Sequence, residues 1–136
     1  MTNSPSNDET PDEQGAVSPR NKLNDLTAKE WLPETVSVWR QKGLGANHPD
    51  AQIEKLHPAP FSFTDVARLI RFFTKSGQTV LDPFVGSGTA LAAAKAAGIA
   101  GIGIERSEEF CHMTAARVGS LAHSIAGDGS LFWADA

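Results

Sequence analysis

The 136 residues carry one cysteine, 40% apolar side chains and a formal charge of −4. That composition supports one globular domain with a tail. It excludes an intrachain disulfide and argues against a chain that holds nucleic acid through net charge alone. No apolar run reaches bilayer length, and MTNSPSNDETPDEQ lacks the basic start and apolar centre of a signal peptide, so a cytoplasmic setting is expected.

Residues 1–20 are Ser, Asn, Asp, Glu, Pro and Gln with almost nothing to bury, and are expected to form a disordered tail. Residues 21–56 form a mixed lead-in. Trp31, Val36, Val38 and Trp39 sit among polar residues, Pro33 limits any helix before it, and Gly43 to Asp50 reads as a loop. Residues 57–136 carry the regular pattern. Ser62 or Thr64 is a candidate cap for a helix bearing Val66, Leu69, Ile70 and Phe73, with Gly77 as its stop. A short strand, Thr79 to Asp82, leads into a glycine turn. TALAAAKAA (Thr89–Ala97) is a strong helix former closed by Gly98. IAGIGIE (Ile99–Glu105) reads as a strand covered on both faces. Phe110, Met113, Ala116 and Arg117 recur at helical spacing over Glu108 to Val118. Leu131 to Asp135 reads as a third strand. The expected fold is therefore α/β, one βαβαβ half of a doubly wound sheet with about three parallel strands and flanking helices.

In such a sheet a ligand lies beyond the carboxyl ends of the strands, against the first strand–turn–helix. Here that turn is LDPFVGSGT, Leu81 to Thr89. Gly86 and Gly88 let the main chain turn sharply. A dinucleotide fingerprint calls for glycine where Leu91 stands, and a Walker loop calls for a lysine that is absent. Asp82, ahead of the glycines, repels a pyrophosphate and suits an ammonium. Glu105, ending the next strand, suits the hydroxyls of a ribose. An ammonium near one and a ribose near the other describe a nucleoside joined to an amino acid, and S-adenosylmethionine is such a molecule. The turn amides and the hydroxyls of Ser87 and Thr89 suit its carboxylate. Taken singly, each residue also fits an ordinary turn or a solvated strand end. Cys111 has no Cys or His at metal spacing, so no metal site is expected. Trp31 and Trp39 read as packing residues, and Arg68 and Arg71 are too few for a nucleic-acid patch.

HPAPF (His57–Phe61), LDPFVGSGT and GIGIERSEEF (Gly101–Phe110) together resemble the DNA amino-methyltransferases, which methylate N6 of adenine or N4 of cytosine. NKLNDLTAKEW (Asn21–Trp31) is similar to the segment preceding these motifs in one bacterial and phage branch. The resemblance covers roughly residues 21–118 and implies a partial Rossmann-like methyltransferase fold. It also implies that Asp82, Gly86, Ser87, Gly88 and Thr89 hold the methionine end of S-adenosylmethionine. Phe84 would pack against the cofactor, Glu105 would take the ribose hydroxyls and Phe61 would close over the methionine. Asp135, with Asp128 competing, would contact the adenine amine.

The family also needs Asp, Asn or Ser followed by Pro-Pro and an aromatic, whose polar groups accept hydrogens from the target amine while the aromatic stacks on the flipped base. The sequence holds no Pro-Pro pair and no tyrosine. The expectation is the cofactor-binding portion of a DNA methyltransferase, inactive alone, from a longer reading frame or a split enzyme. It would meet DNA through the complete enzyme, with a complementary chain carrying the catalytic motif. The alternative is a non-enzymatic subunit that binds S-adenosylmethionine or serves in assembly. A nucleotide-binding module unrelated to methylation is disfavoured by the glycine spacing and Asp82.

Overall fold

A computed structural model describes residues 15–40, 44–45, 47–56, 61–119, 122–126 and 129–134. Residues 1–14, which hold most of the expected tail, lie outside this set, as do Gly43, His57, Asp128 and Asp135.

The lead-in opens with a short helix α1, Ala28–Trp31, followed by a 3-10 turn, Leu32–Glu34. Thr27 and Glu30 form a capping box, each side chain bonding the other's amide, which satisfies two donors that the helix start leaves without partners. Helix α2, Pro49–Glu54, begins inside the stretch expected to be a loop. Pro49 has the fixed φ that suits a first helical position, and His48 Nδ1 accepts from the Asp50 amide.

Helix α3, Phe63–Phe73, follows the predicted spacing, with Ser62 at the cap position but without a capping side-chain bond. The lead-in grips its far end. Asn24 is fully buried; its Nδ2 donates to the Phe72 carbonyl at 2.5 Å, and its Oδ1 accepts from the Leu26 amide at 3.0 Å. One side chain thus satisfies a terminal helix carbonyl and a loop amide together. Trp31 and Trp39 both pack on Phe72, and Arg68 lies 4.0 Å over the Trp39 ring, so both tryptophans are packing residues here.

Strand β1, Thr79–Asp82, helix α4, Thr89–Ala96, and strand β2, Ala100–Glu105, form a βαβ unit with β1 and β2 parallel. Helix α4 ends in a Schellman turn, the Gly98 amide donating to Lys95 O at 3.0 Å and the Ile99 amide to Ala94 O at 2.9 Å. Its alanines lie directly on β2. A Cβ added at Gly101 would meet Leu91 at 2.7 Å, and one at Gly103 would meet Leu91 and Val85 at 2.9 Å. Glycine on one face of β2 is what lets helix and strand approach this closely. Leu91, Val85 and Val118 form one core cluster, and Ile70, Ala93, Ala94 and Ile99 the other, with Val80 packed on the second. Helix α5, Glu108–Val118, joins this layer, and Lys95 Nζ donates to its last carbonyl, Val118 O, at 2.5 Å.

Two expectations are corrected. Strand β2 is not covered on both faces: its glycines face α4, while the opposite face leaves Ile104 41% exposed, beside Leu81 of β1 at 61%. The alternation of Gly and Ile put small residues under the helix and branched ones on the other side. The expected third parallel strand is also overturned. Strand β3, Ala122–Ala126, and strand β4, Gly129–Ala134, pair antiparallel with each other, and β4 pairs antiparallel with β2. The sheet order is β1-β2-β4-β3. Only Gly127 and Asp128 separate the paired residues Ala126 and Gly129. A two-residue connection joins antiparallel strands and is far too short for a crossover, and Gly-Asp between apolar runs is a hairpin signal. The architecture is α/β with two parallel strands and an added hairpin.

Candidate functional site

Parallel pairing sets Asp82 opposite Gly103, so Asp82 and Glu105 stand at the tips of neighbouring strands with their side chains on the same face. The glycine turn lies between them. Asp82 Oδ1 accepts from the Phe84 amide at 3.0 Å, the side chain closing the first bend of the turn. The Val85 amide donates to Ile104 O at 3.1 Å and lashes the turn to β2.

Glu105 binds the turn directly. Its Oε2 accepts from the Gly86 amide at 2.8 Å, while its Oε1 accepts from the amides of Arg106 at 2.8 Å and Ser107 at 2.7 Å. A carboxylate offers about four acceptor positions, and three are filled by main chain. Glu105 therefore joins the turn to the start of α5 and keeps one position, on Oε2, for a further donor.

Helix α5 holds the turn from the opposite side. Thr114 Oγ1 donates to Gly86 O at 2.8 Å, and Arg117 Nη1 donates to Ser87 O at 3.1 Å. Two successive carbonyls are thus drawn toward α5. In a trans peptide the N–H points away from the C=O, so the Ser87 amide is turned away from α5. Ser87 is buried, yet its amide finds no acceptor among the described residues. Among the described residues this donor is uncommitted and free to meet a further acceptor.

The other expected residues divide into two groups. Thr89 is buried, and its hydroxyl accepts from Arg117 Nη1 at 2.8 Å. Phe84 is 88% exposed and Phe61 76% exposed, two aromatic rings presented to solvent without a role in the core. Asp82 is half-buried, and its Oδ2 accepts no hydrogen bond among the described residues. The structure brings Asp82, Gly86, Ser87, Gly88, Thr89 and Glu105 together around one turn. His57, Asp128 and Asp135 lie outside the described residues.

Sequence reasoning missed three residues that build this site: Thr114, Arg117 and Asp50. Arg117 did carry a signal, being a cation on the stripe of α5 that otherwise reads as apolar. Asp50 carried none, because nothing local in the sequence links it to a residue 67 positions away.

Comparison with known proteins identifies relatives of the chain. A family model of DNA methylases matches residues 3–116. The chain is 30% identical over 89 residues to the type II methyltransferase M.ScaI of Streptomyces caespitosus, covering 65% of this chain and 29% of that enzyme. It is 33% identical over 91 residues to the type II methyltransferase M.BglI of Bacillus subtilis, covering 67% of this chain and 24% of that enzyme. The matched region thus spans less than a third of the length of either relative. No solved structure matches the chain. A strand–turn–helix bearing DPFVGSGT, an acid at the tip of the next strand and a family match over most of the length lead to one conclusion: the chain belongs to the DNA amino-methyltransferase family.

Proposed function

We propose that the chain is the S-adenosylmethionine-binding portion of a DNA methyltransferase acting on the exocyclic amine of adenine or cytosine, in the cytoplasm. The observation that carries this reading is the pair of carboxylates at adjacent strand tips, each bonded to the turn between them: Asp82 to the Phe84 amide at 3.0 Å and Glu105 to the Gly86 amide at 2.8 Å. Asp82, with Oδ2 uncommitted, supplies an acceptor for an ammonium group. The uncommitted Ser87 amide and the first-turn amides of α4 supply donors for a carboxylate. The remaining position on Glu105 Oε2 receives one ribose hydroxyl. Phe84, within the turn, and Phe61, ahead of α3, offer exposed apolar surface. This set of groups fits an amino acid joined to a nucleoside.

When bound, S-adenosylmethionine supplies a methyl group activated by its sulfonium sulfur. These residues hold and orient the donor, and Asp82 places a negative charge near that cation. They do not supply the acceptors that relieve the target amine of its protons. The Pro-Pro-aromatic motif that does so in the family has no counterpart in these 136 residues. We assign that step to a segment or companion chain that carries the motif, and through which DNA is engaged.

Calorimetric titration of the chain with S-adenosylmethionine tests the reading. Binding is expected for the wild type, with a loss of about tenfold or more in Asp82→Ala, as an ammonium contact of ~1.5 kcal/mol would give. Glu105→Ala is expected to lose more, because the Gly86, Arg106 and Ser107 amides are released together. No methyl transfer to DNA is expected from the chain alone. Absence of binding, or equal affinity in Asp82→Ala and the wild type, would reject the assignment.

A further inference from the structure

The side chain of Arg117 is 4% exposed, and nothing in cofactor binding as proposed above explains why a cation stands on the core stripe of α5. Its planar fork makes three bonds to two separate parts of the chain. Nη1 reaches Ser87 O at 3.1 Å and Thr89 Oγ1 at 2.8 Å, and Nη2 donates to Asp50 Oδ1 of α2 at 2.5 Å. Its Nε is buried with no partner among the described residues. Burying a guanidinium costs free energy, and a well-packed apolar side chain at such a site is often as stable or more so. Stability is therefore a poor reason for the residue, and geometry a better one. We propose that Arg117 is a positioning residue for the glycine turn, fixing the Ser87–Gly88 peptide plane next to the one whose Ser87 amide Thr114 aims outward, and coupling α2 to the loop that receives the cofactor.

The coupling follows from connectivity. Helix α2 ends at Glu54, shortly before the His57-Pro-Ala-Pro-Phe61 segment, and Asp50 is its tie to the turn. Arg117 thus joins the two chain segments that flank the expected methionine end. With Thr89 Oγ1 accepting from Arg117, the hydroxyl's single proton is directed away from α5. The proposal rests on the reading of the turn as the seat of the methionine moiety, and it makes a claim that can be measured without any ligand.

Two experiments on the 136-residue chain decide it. In amide hydrogen exchange without ligand, Arg117→Met is expected to speed exchange at Gly88, Ala92 and Ala51 by about tenfold. The Val66 amide of α3 and the β1–β2 ladder should keep wild-type rates. Uniform acceleration throughout, or no change at the turn, would overturn the coupling. In calorimetry, Arg117→Met is expected to weaken S-adenosylmethionine about tenfold and to leave 5′-methylthioadenosine, which lacks the amino-acid end, within about twofold. Asp50→Asn should reproduce the pattern in smaller degree, and Arg117→Lys, without the fork, should not restore the wild-type value. Equal losses for both compounds would mark Arg117 as merely structural. Should the wild-type chain bind neither compound, the cofactor reading fails, while the exchange rates still decide whether Arg117 couples α2 to the turn.

Discussion

Gly88 shows how tightly single residues constrain the turn. Its φ is +82°, and a Cβ there would stand 2.9 Å from Thr114 Oγ1 and 3.2 Å from the Thr114 main chain. A left-handed backbone costs a non-glycine residue roughly 1–2 kcal/mol, and the clash with a buried, hydrogen-bonded threonine adds to it. Gly88→Ala is therefore expected to lower stability by about 2–4 kcal/mol in urea denaturation. Gly77→Ala is the natural control. Its φ of +83° carries the same backbone strain, but nothing lies within 4 Å of the added atom, so the loss should stay near the strain alone. Equal losses at the two positions would mean that contact with Thr114 contributes nothing. Asp82 and Glu105 were legible in the sequence because each ends an apolar strand ahead of a turn. The inward role of Thr89 was not, since only the buried Arg117 draws its hydroxyl away from solvent.

Among the elements, the lead-in and α3 depend on each other through charge. Asp25 accepts from the Ser76 amide at 2.7 Å and the Ser76 hydroxyl at 2.5 Å, with Lys75 3.3 Å away. These hydrogen bonds, those from Ser76 foremost, hold the Asp25 carboxyl below its ordinary value. Glu30 is likewise lowered, first by the Thr27 amide, then by the Thr27 hydroxyl, with Arg71 contributing. A carboxyl whose folded pKa is depressed binds its proton more readily in the unfolded state. Its stabilisation is present in full above the ordinary carboxylate pKa of about 4 and is lost as pH falls through the depressed value. Acid is thus expected to release the lead-in from α3 as pH drops below about 4. Trp31 and Trp39 report it, because both pack on Phe72. Their fluorescence should change over that range, and Asp25→Asn should blunt the transition. A Ser76 amide protection factor, taken against the intrinsic rate at each pH, that stays unchanged between pH 5 and 3 would contradict this.

At the scale of the molecule, the described helices cover one face of the sheet only. Helices α3, α4 and α5 build the covered side, while Leu81 and Ile104 share the other. The β1 edge is also unpaired among the described residues, since β1 ends the strand order. Apolar surface beside an open strand edge promotes association. Sedimentation is expected to show concentration-dependent self-association of the wild type, reduced in the double variant Leu81→Thr, Ile104→Thr. Because both side chains are already exposed, the unfolding midpoint should change little. A monomeric wild type at all concentrations would refute the expectation.

The sequence by itself determined α3, the β1–turn–α4–β2 unit, α5 and the family, because each rests on local pattern: helical spacing, strand-end acids and a glycine-bearing loop. Tertiary structure alone decided which face of β2 receives α4, since an alternating Gly-Ile run reads as apolar on both sides until a helix chooses the glycines. It also decided that β4 lies antiparallel to β2, because the short connection ties β4 to β3 but does not select the strand on its other side. The Asp50–Arg117 tie belongs to the same class. A bond between residues far apart in the chain leaves no local trace, and only the tertiary placement of α2 near α5 brings the two charges to 2.5 Å.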